Sequence, residues 1–133
     1  MVERFMALVL PGGGAGAARR WALEQVERFR WEAWRPDPAA VALVVSELVT
    51  NAQRHVGGRI ALSLVLEVDR LRIAVSDGSR REPVQQAPDP ARVGGHGLRI
   101  VAKLATAWGV RPHGDGKQVW ADLAPPRLVP VRD

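Results

Sequence analysis

The chain has 133 residues, about the length of one domain, with 47% apolar and 25% charged residues. That balance supports one sizeable core and excludes a wholly disordered chain. The absence of cysteine excludes disulfides, thiolate zinc sites, iron–sulfur clusters and a cysteine nucleophile. The net charge of +5 is carried almost wholly by arginine, with no run of basic residues longer than two (Arg19–Arg20, Arg80–Arg81). There is no tyrosine and there are only two phenylalanines, so a stacking platform for single strands is poorly supplied. The charge reads as a solvated surface rather than a nucleic-acid site.

No apolar stretch approaches the ~18 residues of a membrane-spanning helix. Met1 to Leu10 carries Glu3 and Arg4 and lacks a small-residue cleavage site, so a secretory signal is not expected. A cytoplasmic protein without membrane contact is the expectation. The three histidines, His55, His96 and His113, are far apart and form no HExxH pair, which argues against a zinc enzyme.

In chain order, Phe5 to Leu10 is a short apolar run closed by Pro11 and glycines, and predicts a strand. Ala15 to about Trp34 is rich in helix formers and predicts a first helix. Pro36–Asp37–Pro38 ends it and starts another. From Ala39 to Val56 the residues Val41, Val44, Val45, Leu48, Val49 and Ala52 recur at helical spacing, and Gly57–Gly58 stops that helix. The period then changes to two. Ile60, Leu62, Leu64, Leu66 and Val68 alternate, Asp69–Arg70 forms a tight connection, and Leu71, Ile73 and Val75 alternate again. Ser79 to Arg92 is polar, contains three prolines and reads as a loop. Gly94 to about Ala107 predicts a third helix. Strands near Trp108–Arg111 and Gln118–Leu123 flank a Gly114–Asp115–Gly116 turn.

The order β-α-α-β-β-α-β-β, with tight turns between strands, implies an α/β two-layer sandwich of the α+β kind. A mostly antiparallel sheet would be covered on one face by about three helices. One domain is expected over 1–133, with a core of about 5–124 and a flexible tail over 125–133.

Gly12-Gly-Gly-Ala-Gly16-Ala17 resembles a dinucleotide fingerprint. That motif needs a second parallel strand ~20 residues on, ending in an acidic residue. Arg30 to Pro38 has no strand pattern, so a plain strand-to-helix connection is the better reading. Gly116-Lys117-Gln118 lacks the upstream glycine and the Ser/Thr of a phosphate loop.

Three constellations remain. Glu47, Asn51 and His55 are spaced i, i+4, i+8 and share one helix face, bordering the apolar stripe. There Asn51 offers a neutral oxygen suited to Mg²⁺, and Glu47 a carboxylate able to orient or deprotonate a hydroxyl. An ordinary polar helix edge gives the same pattern. Asp77 follows Leu71, Ile73 and Val75 at period two, which directs a carboxylate into the core. It is suited to accept from an exocyclic amine such as adenine's, and Gly78 lets a ligand come close. A turn-capping Asp-Gly is the alternative. Gly94-Gly95-His96-Gly97-Leu98 opens a helix, where free backbone N–H groups and the dipole favour phosphate; a simple hinge is the alternative.

Taken together and in this order, the motifs resemble those of the GHKL, or Bergerat-fold, ATPases. Glu47-Leu-Val-Thr-Asn51-Ala is similar to the N box, Asp77-Gly-Ser to the start of the first glycine box, and Gly94-Gly-His-Gly97-Leu to the second. Within that superfamily the chain looks most like the anti-sigma-factor serine kinases of the RsbW and SpoIIAB type and short actinobacterial ATP-binding regulatory proteins. Trp108-Gly-Val and Gly116-Lys-Gln-Val-Trp-Ala-Asp-Leu123 add to the likeness, which spans about residues 5–124.

The resemblance implies ATP and Mg²⁺ as cofactors. Asn51 would hold the metal, Glu47 would be the general base, and Asp77 with Gly78 would read adenine. Gly95, His96, Gly97 and Leu98 would approach the phosphates, and Ser79 to Arg92 would form a lid. It implies a protein serine/threonine kinase that phosphorylates an anti-sigma antagonist and binds a sigma factor. Where the family reads Asp-x-Gly-x-Gly, this chain reads Asp77-Gly78-Ser79-Arg80-Arg81. That departure keeps a second reading open, a non-catalytic binding module of the same fold. Trp120, on the strand face opposite Val119, Ala121 and Leu123, is expected to be exposed and would suit a homodimer or partner surface.

Overall fold

The structure is a computed structural model, and it describes residues 2–9, 14–55, 60–77 and 95–126. Its elements are β1 (Val2–Val9), α1 (Ala15–Arg28), α2 (Pro38–His55), β2 (Ile60–Glu67), β3 (Arg70–Asp77), α3 (Gly95–Leu104), β4 (Ala107–His113) and β5 (Gly116–Leu123). The expected order of strands and helices is the observed one. The sheet runs β1-β2-β3-β5-β4, and every pairing is antiparallel. A dinucleotide fold is thereby excluded, because β1 lies against antiparallel β2 rather than a parallel neighbour.

Alternation builds the core. Leu62, Leu64 and Leu66 of β2, Leu71, Ile73 and Val75 of β3, and Val119, Ala121 and Leu123 of β5 share one face and are buried. Val41, Val44, Val45, Leu48 and Val49 of α2 bury against them, and α2 packs on β2, β3 and β5 with α1 and α3 beside it. Asp37 starts this central helix. Its Oδ1 accepts from Ala39 N at 3.0 Å, and Pro38 takes the first helical position, where no donor is needed. Arg19 ties α1 to α2 by donating to Ser46 Oγ at 2.8 Å.

The first helix ends at Arg28, six residues short of the expected Trp34. The aromatic residues decide this. Phe29 adopts extended backbone, and Phe29, Trp31 and Trp34 stack edge to face in series, with centroids 4.5 and 5.6 Å apart. Trp31 Nε1 donates to Val26 O at 2.9 Å, satisfying a carbonyl that the terminated helix leaves open. The third helix likewise stops at Leu104, and β4 begins at Ala107.

The opposite face of the sheet is held by side-chain bonds. Arg72 donates to both carboxylate oxygens of buried Asp122, at 2.7 and 2.9 Å, and stacks 4.5 Å from the centroid of the Trp120 ring. The Asp122 carboxylate, first by hydrogen bonding and then by its charge, raises the Arg72 pKa above its usual value. Arg111 Nε donates to Gln118 Oε1, and Gln118 Nε2 donates to Ser76 Oγ, linking β4, β5 and β3. Trp120 is half-buried rather than exposed. Arg72 covers it on one side and Gly109, its partner on β4, lies against it on the other. A Cβ at Gly109 would meet the indole at 3.0–3.1 Å. Gly109→Ala is therefore expected to tilt Trp120 and to lower the unfolding free energy by about 1–3 kcal/mol. Thermal unfolding with tryptophan fluorescence checks it, and an unchanged midpoint would refute the close packing.

Candidate functional site

Asp77 ends β3 on the helix-covered face, as the alternation predicts, and is buried. Directly opposite on β5 stands Lys117, which shares the face of Val119 and Ala121. Lys117 Nζ lies 3.7 Å from Asp77 Oδ2, with the two side chains 5% and 2% exposed. A buried, charged pair at a strand end is costly to desolvate, so polarity is kept there against the hydrophobic trend. Lys117 enters the sequence reading only in a rejected phosphate-loop motif and in the Gly116–Leu123 stretch, not as a site residue. The period of two running back from Val119 was the available signal.

Asn51 and Glu47 lie on α2, one helical turn apart. Asn51 is 6% exposed, and its Nδ2 is buried without a hydrogen-bond partner. Glu47 is half-buried. α2 packs on β2, β3 and β5, the strands that carry the Asp77 end of the sheet. The helix ends at His55, five residues before Ile60 opens β2, and Ala61 pairs with Ser76, the residue before Asp77. Asn51 is about 6 Å of helical rise before His55, the last residue of α2.

The third helix opens at Gly95, so Gly95, His96, Gly97 and Leu98 form its first turn, of which Gly95 to Gly97 are described only as helical backbone. The first amides of a helix have no intrahelical acceptor, which suits them to an anion. The side chain of Leu98 is half-buried and packs on the core, so only its amide is suited to a ligand. At the other end Thr106 N donates to Asp122 O at 2.9 Å, fixing the helix C-terminus to the end of β5 away from Lys117. Ten residues rise about 15 Å from there along α2. Gly78 and the expected lid, Ser79 to Arg92, lie outside the described residues, as does the side chain of His55.

The residues present fit a magnesium–nucleotide ligand. The buried Asn51 Nδ2 is a donor without a partner, which suits it to an acceptor such as a nucleotide phosphate oxygen, and leaves Oδ1 as the atom of this side chain able to meet a metal. Among the described residues no three His, Cys, Asp or Glu side chains are grouped to hold a metal by themselves. Magnesium commonly takes one or two protein oxygens and fills its sphere with phosphate oxygens and water, and Asn51 suits that role. An open cleft of about 420 Å³ lies in the connection from α1 to α2, lined by Phe29 to Arg35. It contains neither Glu47, Asn51, Asp77 nor Lys117.

An antiparallel five-stranded sheet under three helices, with Asp77 buried at the end of the central strand, agrees with an ATPase-type nucleotide-binding domain. The histidine kinase-like ATPase domain model matches residues 14–123, and the chain belongs to that family. No curated protein shows significant similarity to it. ATP is the ligand expected of this domain. Among the described residues no helix is long and apolar enough to cross a membrane.

Proposed function

We propose that this chain is a Mg²⁺- and ATP-dependent protein serine/threonine kinase of the anti-sigma-factor type, which phosphorylates an anti-sigma antagonist and binds a sigma factor. One observation carries the kinase part: a half-buried Glu47 stands one turn before a buried Asn51 whose Nδ2 lacks a partner and could donate to a phosphate oxygen, with Oδ1 the atom that would meet the metal. Phosphoryl transfer asks the protein chiefly for positioning and charge stabilisation. Asn51 would hold Mg²⁺, which when bound draws charge from the phosphate oxygens. Asp77 would accept from the adenine amine. The first-turn amides of α3 would receive the phosphates. Glu47 would orient the serine hydroxyl and take its proton.

Incubation with an antagonist protein and labelled ATP tests the proposal, and transfer of label to a serine is expected. Glu47→Gln should retain ATP binding and lower transfer by about 10²–10⁴-fold. Equal transfer by wild type and variant would remove Glu47 from the role of base.

A second reading, a partner-binding module without transfer, is favoured by Ser79 and Arg81 standing where the family carries glycines. ATP binding without transfer to any antagonist would select it. The assignments to sigma factor and antagonist draw on motif resemblance, and a pull-down with each, with and without ATP, tests them.

A further inference from the structure

The edge of the site that would receive the base holds two opposite charges rather than one. Asp77 and Lys117 are registered partners on β3 and β5, both on the helix-covered face. Their charged atoms lie 3.7 Å apart, within ion-pair range yet longer than a direct hydrogen bond. An apolar pair would fill the same place with less desolvation, so stability alone does not account for the two charges. A carboxylate accepts only, and an ammonium donates only. Side by side they form an acceptor–donor pair of fixed order.

We infer that Lys117 is a second base-reading residue, donating to the ring nitrogen next to the amine that Asp77 accepts from. This rests on the ATP reading of the site. The polar edge of adenine presents an amine donor beside the N1 acceptor, which is the complement of this pair. In the same pose guanine turns O6 toward the carboxylate and N1–H toward the ammonium, so both contacts become repulsive. Discrimination then comes from two misplaced groups rather than one, and buried charges left facing the wrong partner weigh heavily.

The test is calorimetric titration of the folded wild-type chain with Mg-ATP and with Mg-1-deaza-ATP. The analogue keeps the amine and replaces N1 by C–H. Wild type is expected to bind the analogue at least about tenfold more weakly. Lys117→Met is expected to bind both nucleotides with one affinity, and Lys117→Arg to keep part of the preference. Equal affinity of wild type for the two nucleotides overturns the inference, as does an undiminished preference in Lys117→Met. Should Lys117→Met fail to fold by circular dichroism, the wild-type comparison alone decides. Binding of ATP without discrimination removes Lys117 only, whereas no binding of either nucleotide by folded wild type removes the ATP reading and this inference with it.

Discussion

Asp77→Leu and Lys117→Met, made singly, are each expected to lower the unfolding free energy by about 3–5 kcal/mol, while the double variant recovers to within about 1 kcal/mol of wild type. Each single change leaves a charge buried opposite an apolar side chain, since both side chains are almost fully covered. The double change removes both charges and leaves two apolar neighbours on a face already lined by Val75 and Val119. Urea denaturation with a common slope measures the three differences, and the double-mutant cycle isolates the coupling. Costs that simply add would show that the pair is not coupled. The loss is large against the ~5–15 kcal/mol that holds a domain of this size together. The double variant also separates fold from function. It should be folded and should no longer bind ATP, because the carboxylate that would meet the adenine amine is gone.

Asn51→Leu is expected to abolish Mg²⁺-dependent ATP binding and to raise the unfolding free energy by about 1 kcal/mol. A buried amide nitrogen without a partner carries a desolvation cost of about 1–3 kcal/mol in the free protein. Leucine has the same number of side-chain heavy atoms with the same branching, though its methyls are bulkier, and lies naturally beside Leu48 and Ala52, both buried on the same helix. The opposed signs are the diagnostic feature, because groups kept for a ligand often cost stability without it. Titration with Mg-ATP and urea denaturation of the same preparation measure both. A destabilisation above about 2 kcal/mol would make Asn51 a structural residue, and retained binding would remove it from the site.

Most of the architecture was legible because it depends on local periodicity. The alternation of Leu62, Leu64 and Leu66, and of Leu71, Ile73 and Val75, assigned two strands and their inner faces, and the same rule sent Asp77 inward. The i, i+4 spacing of Glu47 and Asn51 placed both at the margin of the apolar stripe of α2. Propensity failed where tertiary packing intervened. Helix formers continue past Arg28, yet Phe29 leaves the helix and its ring joins Trp31 and Trp34. Trp120 occupies the predicted face of its strand, but Arg72 and Gly109 cover it, and neither is near it in sequence.

The sequence by itself determined the elements, the inward carboxylate and the acidic-amide helix, because side-chain direction in a helix or strand follows from spacing along a few residues. Only the tertiary structure decided that β5 enters the sheet between β3 and β4. That insertion sets Lys117 opposite Asp77, forty residues away, and Asp122 opposite Arg72. Strand order and register are settled by pairing between distant segments and by the common burial of their apolar faces, which no local pattern records.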